Sequence, residues 1–346
     1  MSISNKHWIL LSQPFALLAL VVLAGLLPAR AQTPFRIKLG TQAPRGSSLH
    51  QILQTMGEKW RQAPGGGIAL TIYPDGTLGG EADMVRKMRI GQIQAGMLTV
   101  VGLAEIEESV SALQNMPMMF RSLEEVDYVR EKMRPELERR LLEKGYVALF
   151  WGDAGWVRFF SRDPFTQPAE LKKMKLFVWA GDNAQIDIMK AAGYQPVPLE
   201  VNDLRTSLQT GMINAVPNVP FYALKAQLYD SAPHMLELNW APLVGGTVVT
   251  RKVWETIPPD TRTLLMKSAA EAGEQVKVRM RIESHEAVEA MKKHGLQVQP
   301  VSPQLAEEWR RTAEEFYPQI RGRIVPAPMF DEVRRLLEGY RASIKK

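Results

Sequence analysis

The chain contains no cysteine and only five histidines among 346 residues. The first absence excludes a disulfide framework, a thiol nucleophile and a lipid-attachment cysteine behind a leader. The second leaves little for a metal. His50, His234, His285 and His294 show no ligand spacing, and "HEAVE" at His285 lacks the second histidine four residues on that a zinc-protease helix needs. No G-x-S-x-G elbow occurs. The acidic pairs Glu107–Glu108, Glu124–Glu125 and Glu314–Glu315 lie in polar helical stretches and read as solvated faces. The residues therefore predict no enzyme, no metal and no cofactor. A basic cluster is missing too. The formal charge of +6 falls to +4 once Lys6 and Arg30 are set aside with the leader, and this thin surplus suggests neither nucleic acid nor an anionic membrane as partner.

Long apolar runs are also scarce. One stands out, from Phe15 to Leu27 behind a polar start with Lys6 and His7. Its length is short of the roughly 20 residues a spanning helix needs. "PARAQ" then places Ala29 and Ala31 at signal-peptidase spacing. The expectation is a signal peptide over 1–31, cleaved near Ala31, and a mature chain that begins near Gln32 and is soluble in the periplasm.

What is present is globular, with 45% apolar and 23% charged residues, and the length exceeds what one core usually serves. "FRIKLG" and "IALTIYP" alternate as strands. Between them Leu49, Ile52, Leu53, Met56 and Trp60 recur at helical spacing, and "APGGG" serves as the return turn. A helix over Glu81 to Ile90, a strand through Met97 to Val100, a helix over Leu123 to Lys144 and the strand "YVALFWGD" follow. After Asp153 the alternation restarts with "WVRFF", "KLFVW", a helix over Ala184 to Ala192, "QPVPL", a helix around Asp203 to Thr210 and "INAVPNVP". That is an α/β architecture in two sets. Ligands in open sheets bind beyond the carboxyl ends of strands, which directs attention to the loops after Gly40, Thr99, Gly152, Trp179 and Val216. A last helical stretch begins at Pro258 and Pro259 and stops at Gly295. A helix of that length reaches about 50 Å, so it touches both halves or breaks, and Gly273 is the expected bend.

"IKLGTQAPRGSSLH", "IYPDGTLGGEADMVRKMRIGQIQAG", "MPMMF" and "YQPVPLEVNDLRTSLQTGMINAV" stand in the order and spacing of solute-binding subunits of tripartite ATP-independent periplasmic (TRAP) transporters, and the chain resembles the DctP type over about Arg36 to Lys293. The resemblance implies a two-lobed α/β clamshell with crossover strands and a long lobe-bridging helix. It gives lobe I as 32–153 plus about 244–275, and lobe II as 154–243 plus about 276–346. It also implies a monomer that hands a small organic solute to TRAP membrane subunits. Where family members place a carboxylate-gripping arginine, the matching run here is Lys175, Leu176, Phe177. A second family arginine falls on Val157, with Arg158 next to it, and a register shift or bulge is needed to turn Arg158 into the cleft. A family asparagine is matched by Asn218.

On that basis the candidate ligand-binding residues are Phe177, Trp179, Arg158, Asn218, Thr41, Thr99, Trp156, Tyr222 and Trp240, with Phe221 nearby. Asp182 and Asn183 read as helix caps. Same-face aromatics such as Phe177 and Trp179 are commonly core; their place in the motif brings them to the cleft. With no arginine at position 177, the expected solute is aromatic or amphiphilic rather than a small dicarboxylate. A periplasmic enzyme, or an interaction module serving a sensor or a lipid-handling complex, remain the other function classes.

Overall fold

The computed structural model describes residues 35–64 and 67–344. The leader, its cleavage site and two glycines of the "APGGG" turn lie outside the described residues.

The first strand, β1 (Phe35–Thr41), pairs in parallel with β2 (Ile68–Tyr73), and helix α1 (Ser48–Arg61) connects them. Ser47 caps α1 by accepting the His50 N–H, and the stripe Leu49, Ile52, Leu53, Met56, Trp60 is buried as its spacing requires. Helix α2 (Glu81–Arg89) leads to β3 (Ala95–Thr99), parallel to β1. Val100 was expected to end that strand; it opens helix α3 (Val100–Ala104) instead, because the Thr99 hydroxyl accepts the Val101 N–H and caps the helix there. Helix α4 (Leu123–Glu143) then precedes β4 (Tyr146–Ser161).

The two strands read from "YVALFWGD" and "WVRFF" are one, since β4 runs unbroken through Asp153. Its antiparallel partner is β8 (His234–Thr250), paired from Tyr146↔Thr250 to Ser161↔His234. Register shifts fall between Asp153 and Trp156 and between Val157 and Phe159. Gly155 sits at the shift between Asp153 and Trp156 with φ +82°, a left-handed conformation that a side chain would strain.

The second half carries β5 (Lys175–Trp179), helix α5 (Asn183–Ala191), β6 (Gln195–Leu199), helix α6 (Leu204–Thr210), β7 (Ala215–Asn218) and helix α7 (Pro220–Lys225). The strand order is β2-β1-β3-β8-β4-β7-β5-β6, with β9 (Gln297–Gln299) added to β8. β4 and β8 are thus the only strands shared by the two halves among the described residues.

Helix α8 (Pro259–Lys293) runs without interruption through Gly273. Gly273 allows a close approach: a Cβ there would stand 2.7 Å from the Phe150 Cβ on β4. α8 touches the first half through Trp60, whose Nε1 donates to Ser268 Oγ (2.9 Å), and the second half through Val288 and Met291, which share a core with Phe160, Leu208 and Val216. The closing helix α9 (Ala327–Ile344) lies on α4 of the first half: Phe330, Val333 and Leu337 share a core with Val126, Val129 and Leu137, and the Arg341 guanidinium donates to Glu125 at 2.7 and 2.8 Å. The span 276–346 is therefore divided between the halves rather than lying wholly with the second, because α9 buries its apolar face on α4.

Candidate functional site

Two cavities meet where β4 and β8 cross, with Leu243 in the wall of both. The smaller, about 70 Å³, is lined by the strand-end residues Thr41 and Thr99, by Glu81 at the start of α2, by Asp153, and by Tyr222 of α7. The larger, about 160 Å³, lies against β5 and is lined by Phe177, Trp179, Tyr194, Asn218 and Trp240, with Asp182 as its one carboxylate. Among the described residues no lysine or arginine lines either cavity.

In the smaller cavity Glu81 is almost fully buried. Its carboxylate accepts the Thr99 N–H (2.8 Å), the Thr99 hydroxyl (2.7 Å) and the Gly102 N–H (2.8 Å). Burial raises its pKa beyond what these three bonds can pull back, and the charge of Glu200 adds to the rise. Tyr222 is pushed upward as well, by burial first and by Glu81 second. The hydroxyls of Thr41 and Thr99 are already engaged: Thr41 Oγ1 accepts the Ala43 N–H, and Thr99 bonds Glu81.

Asp153 closes this cavity from the crossover strand. Arg281 of α8 donates to it at 2.7 and 3.1 Å and also to Asp127 of α4 at 2.8 and 3.0 Å, while Arg130 donates to both carboxylates. Burial alone would raise the Asp127 carboxyl; the Arg281 guanidinium outweighs it and holds the pKa below the usual range.

In the larger cavity the rings of Phe177 and Trp179 lie 5.7 Å apart. Phe177 is 1% exposed and packs with Phe160, Leu204, Leu208 and Val216, so it is core as well as wall. Trp179 is half-buried. Trp240 packs on Phe159 at 5.3 Å and Trp309 at 5.9 Å. Asn218 ends β7 and its Oδ1 accepts the Val219 N–H (2.8 Å). Asp182 caps α5 by accepting the Gln185 N–H (3.1 Å). Burial raises the Asp182 pKa, and the charge of Glu105 from the first half raises it further.

The register shifts that Arg158 required are present, and Arg158 pairs with Asn218 across β4 and β7. Its side chain nonetheless lines neither cavity; it lies 3.6 Å from Glu237, and Val157 takes the place in the wall. Burial lowers the Arg158 pKa, with Glu237 opposing only in part. Trp156 also lies outside both walls, packed on the first-half core. Phe221 is buried core, edge-on to Tyr222 at 5.2 Å. Reasoning from sequence missed Glu81, whose signal was an acid directly after two glycines at a helix start. It also missed Leu243 and the C-terminal wall formed by Phe316, Ile320 and Ile324, which no local pattern marks.

Between the halves, Glu200 of the second reaches the first so closely that a Cβ at Gly80 would lie 2.5 Å from its carboxylate, and Asn202 donates to the Asp75 carbonyl (3.4 Å).

The family described as bacterial extracellular solute-binding protein, family 7, matches residues 39–322. The chain belongs to this family. Its curated relatives include the C4-dicarboxylate-binding periplasmic protein DctP of Rhodobacter capsulatus, 22% identical over 79% of this chain and 82% of the relative. Another is the 2,3-diketo-L-gulonate-binding periplasmic protein YiaO of Escherichia coli, 24% identical over 76% and 80%. Among solved structures, a TRAP periplasmic solute-binding protein of Shewanella oneidensis with bound succinate superposes with a TM-score of 0.81 at 18% identity, covering 88% of this chain and 99% of that one. One from Pseudomonas putida F1 with bound D-glucuronate gives 0.77 at 24%, covering 87% and 96%. The family fold is thus a two-lobed mixed α/β clamshell, and family members bind small organic solutes. Among the described residues no helix is long and apolar enough to cross a membrane.

Proposed function

We propose that this chain captures a predominantly apolar or aromatic small organic solute between its two halves and delivers it to TRAP membrane subunits, acting as a binding protein and not as an enzyme. One observation carries the reading: among the described residues neither cavity is lined by a cation, while Phe177, Trp179, Tyr194 and Trp240 supply ring surface. The relatives named above bind succinate, a C4-dicarboxylate or sugar acids. A carboxylate enclosed here without a cation would remain a buried uncompensated charge, and losing one side of such a pair costs about 2–5 kcal/mol, or roughly 30- to 4,000-fold in affinity. Aromatic surface against these rings gains about 25 cal/mol per Å² of apolar area and about 0.5–1.5 kcal/mol for each ring pair.

In this reading the ligand set is Phe177, Trp179, Asn218 and Trp240, with Thr41, Thr99 and Tyr222 on the first-half side. Arg158 and Trp156 support the walls from behind. The exported chain, released near Ala31, works as a monomer in the periplasm. One lobe holds the β2-β1-β3 half with α9, and the other holds the β7-β5-β6 half. Both close about β4 and β8. Calorimetry tests the proposal: succinate and D-glucuronate should bind weakly or not at all, and aromatic solutes measurably. Submicromolar affinity for succinate would sink it. A fall in the small-angle scattering radius on saturation checks the closure.

A further inference from the structure

Resting on that reading, we propose that the enclosed solute is an organic cation, a protonated amine or quaternary ammonium on an apolar body. The larger cavity combines rings with a single carboxylate. Phe177, Trp179, Tyr194 and Trp240 line it, and among the described residues Asp182 is its only acid and no lysine or arginine lines it. One carboxylate oxygen of Asp182 accepts the Gln185 N–H, and among the described residues no lysine, arginine or histidine lies within ion-pairing distance of the group. A cation over an aromatic face is attracted by the ring quadrupole, and the attraction grows as water is excluded. An anion meets the negative faces of the same rings and a like charge.

An independent observation lies between the halves, where acids face acids. Asp182 of the second half is near enough to Glu105 of the first to feel its charge, and Glu200 packs over Gly80 beside Glu81, while Asp83 nearby is already paired with Arg86 at 2.6 Å. Glu105 of the first half therefore adds negative charge beside Asp182, the carboxylate in the cavity wall. Arg158 is turned to Glu237, and Arg130 and Arg281 are held by Asp127 and Asp153, so the nearby cations are paired already. An enclosed cation supplies the missing positive charge and favours the closed state.

The test is calorimetry with two matched series that differ only in charge: tryptamine, tryptophol and indole-3-acetate, and 2-phenylethylamine, 2-phenylethanol and phenylacetate. In at least one series the amine should bind about tenfold or more tighter than the alcohol, with the acid weakest. Asp182→Asn keeps an acceptor for the helix cap, and it should cut the amine-to-alcohol ratio about tenfold. Equal or tighter binding of the alcohol or acid in both series overturns the cation while leaving the aromatic cavity standing. A ratio unmoved by Asp182→Asn overturns the role of Asp182 and with it the proposal. No heat from any of the six compounds overturns both this inference and the aromatic reading beneath it.

Discussion

Val157 and Arg158 are adjacent on β4 and face different surroundings: Val157 lines the larger cavity, whereas Arg158 lies 3.6 Å from Glu237 and lines neither. Alternation along a strand separates neighbours in this way even where the pairing bulges. Arg158→Ala should therefore change solute affinity less than Phe177→Ala does. Because Glu237 is half exposed, breaking that pair should cost no more than about 1 kcal/mol of stability. Phe177→Arg should not improve affinity for the true solute. Titration of these variants with the best aromatic binder checks the order, and a larger loss from Arg158→Ala would reverse the assignment.

Asp153 ties the crossover to two helices. Its side chain is fully buried between Arg130 and Arg281, so Asp153→Ala leaves charge without its partner in a place water does not reach. The loss should be about 3–5 kcal/mol in urea unfolding. A change below 1 kcal/mol would mean that Asp127 alone suffices to hold both guanidinium groups.

Gly273 should reject a methyl group. Alanine in a helix interior normally gains about 1 kcal/mol over glycine. Here the new Cβ would stand 2.7 Å from Phe150 Cβ, and overpacking of that sort costs about 1–3 kcal/mol. Gly273→Ala should accordingly be neutral to destabilising by denaturant melts, and a clear gain would show that α8 can move away from β4.

Glu81 predicts a pH dependence. Its pKa is raised above the ordinary 4.5 by burial, so its contribution to stability is full below 4.5 and is lost as pH rises through the raised folded value. The stability of Glu81→Gln relative to wild type should therefore improve as pH rises from about 4 and level off once the raised folded value is passed. Melting temperatures of the two proteins across that range check the sign; a difference that is flat, or that shrinks with pH, would contradict it.

Much of this protein was legible in its residues because the signals are local. The α1 stripe from Leu49 to Trp60, the Ser47 cap and the alternation of "FRIKLG" dictate element type through periods of 3.6 and 2, which depend only on neighbours in the chain. The long helix was legible for the same reason, and the motif order placed Trp179 and Asn218 at strand ends beside a cleft. Other features needed distant partners. Asp153 reads as a break between two strands until β8 pairs across it from Tyr146 to Ser161 and makes one strand of both. That Gly273 also makes room for Phe150 of β4 appears only once the helix is laid on the sheet. The side of β4 that Arg158 faces depends on bulges set by β7 and β8, and α9 joins the first half only because α4 offers it an apolar face. The absence of cations around the cavities is likewise a property of packing: the chain has arginines in plenty, and the tertiary structure decides that Arg130, Arg158 and Arg281 are spent on Asp127, Glu237 and Asp153 instead of on a ligand.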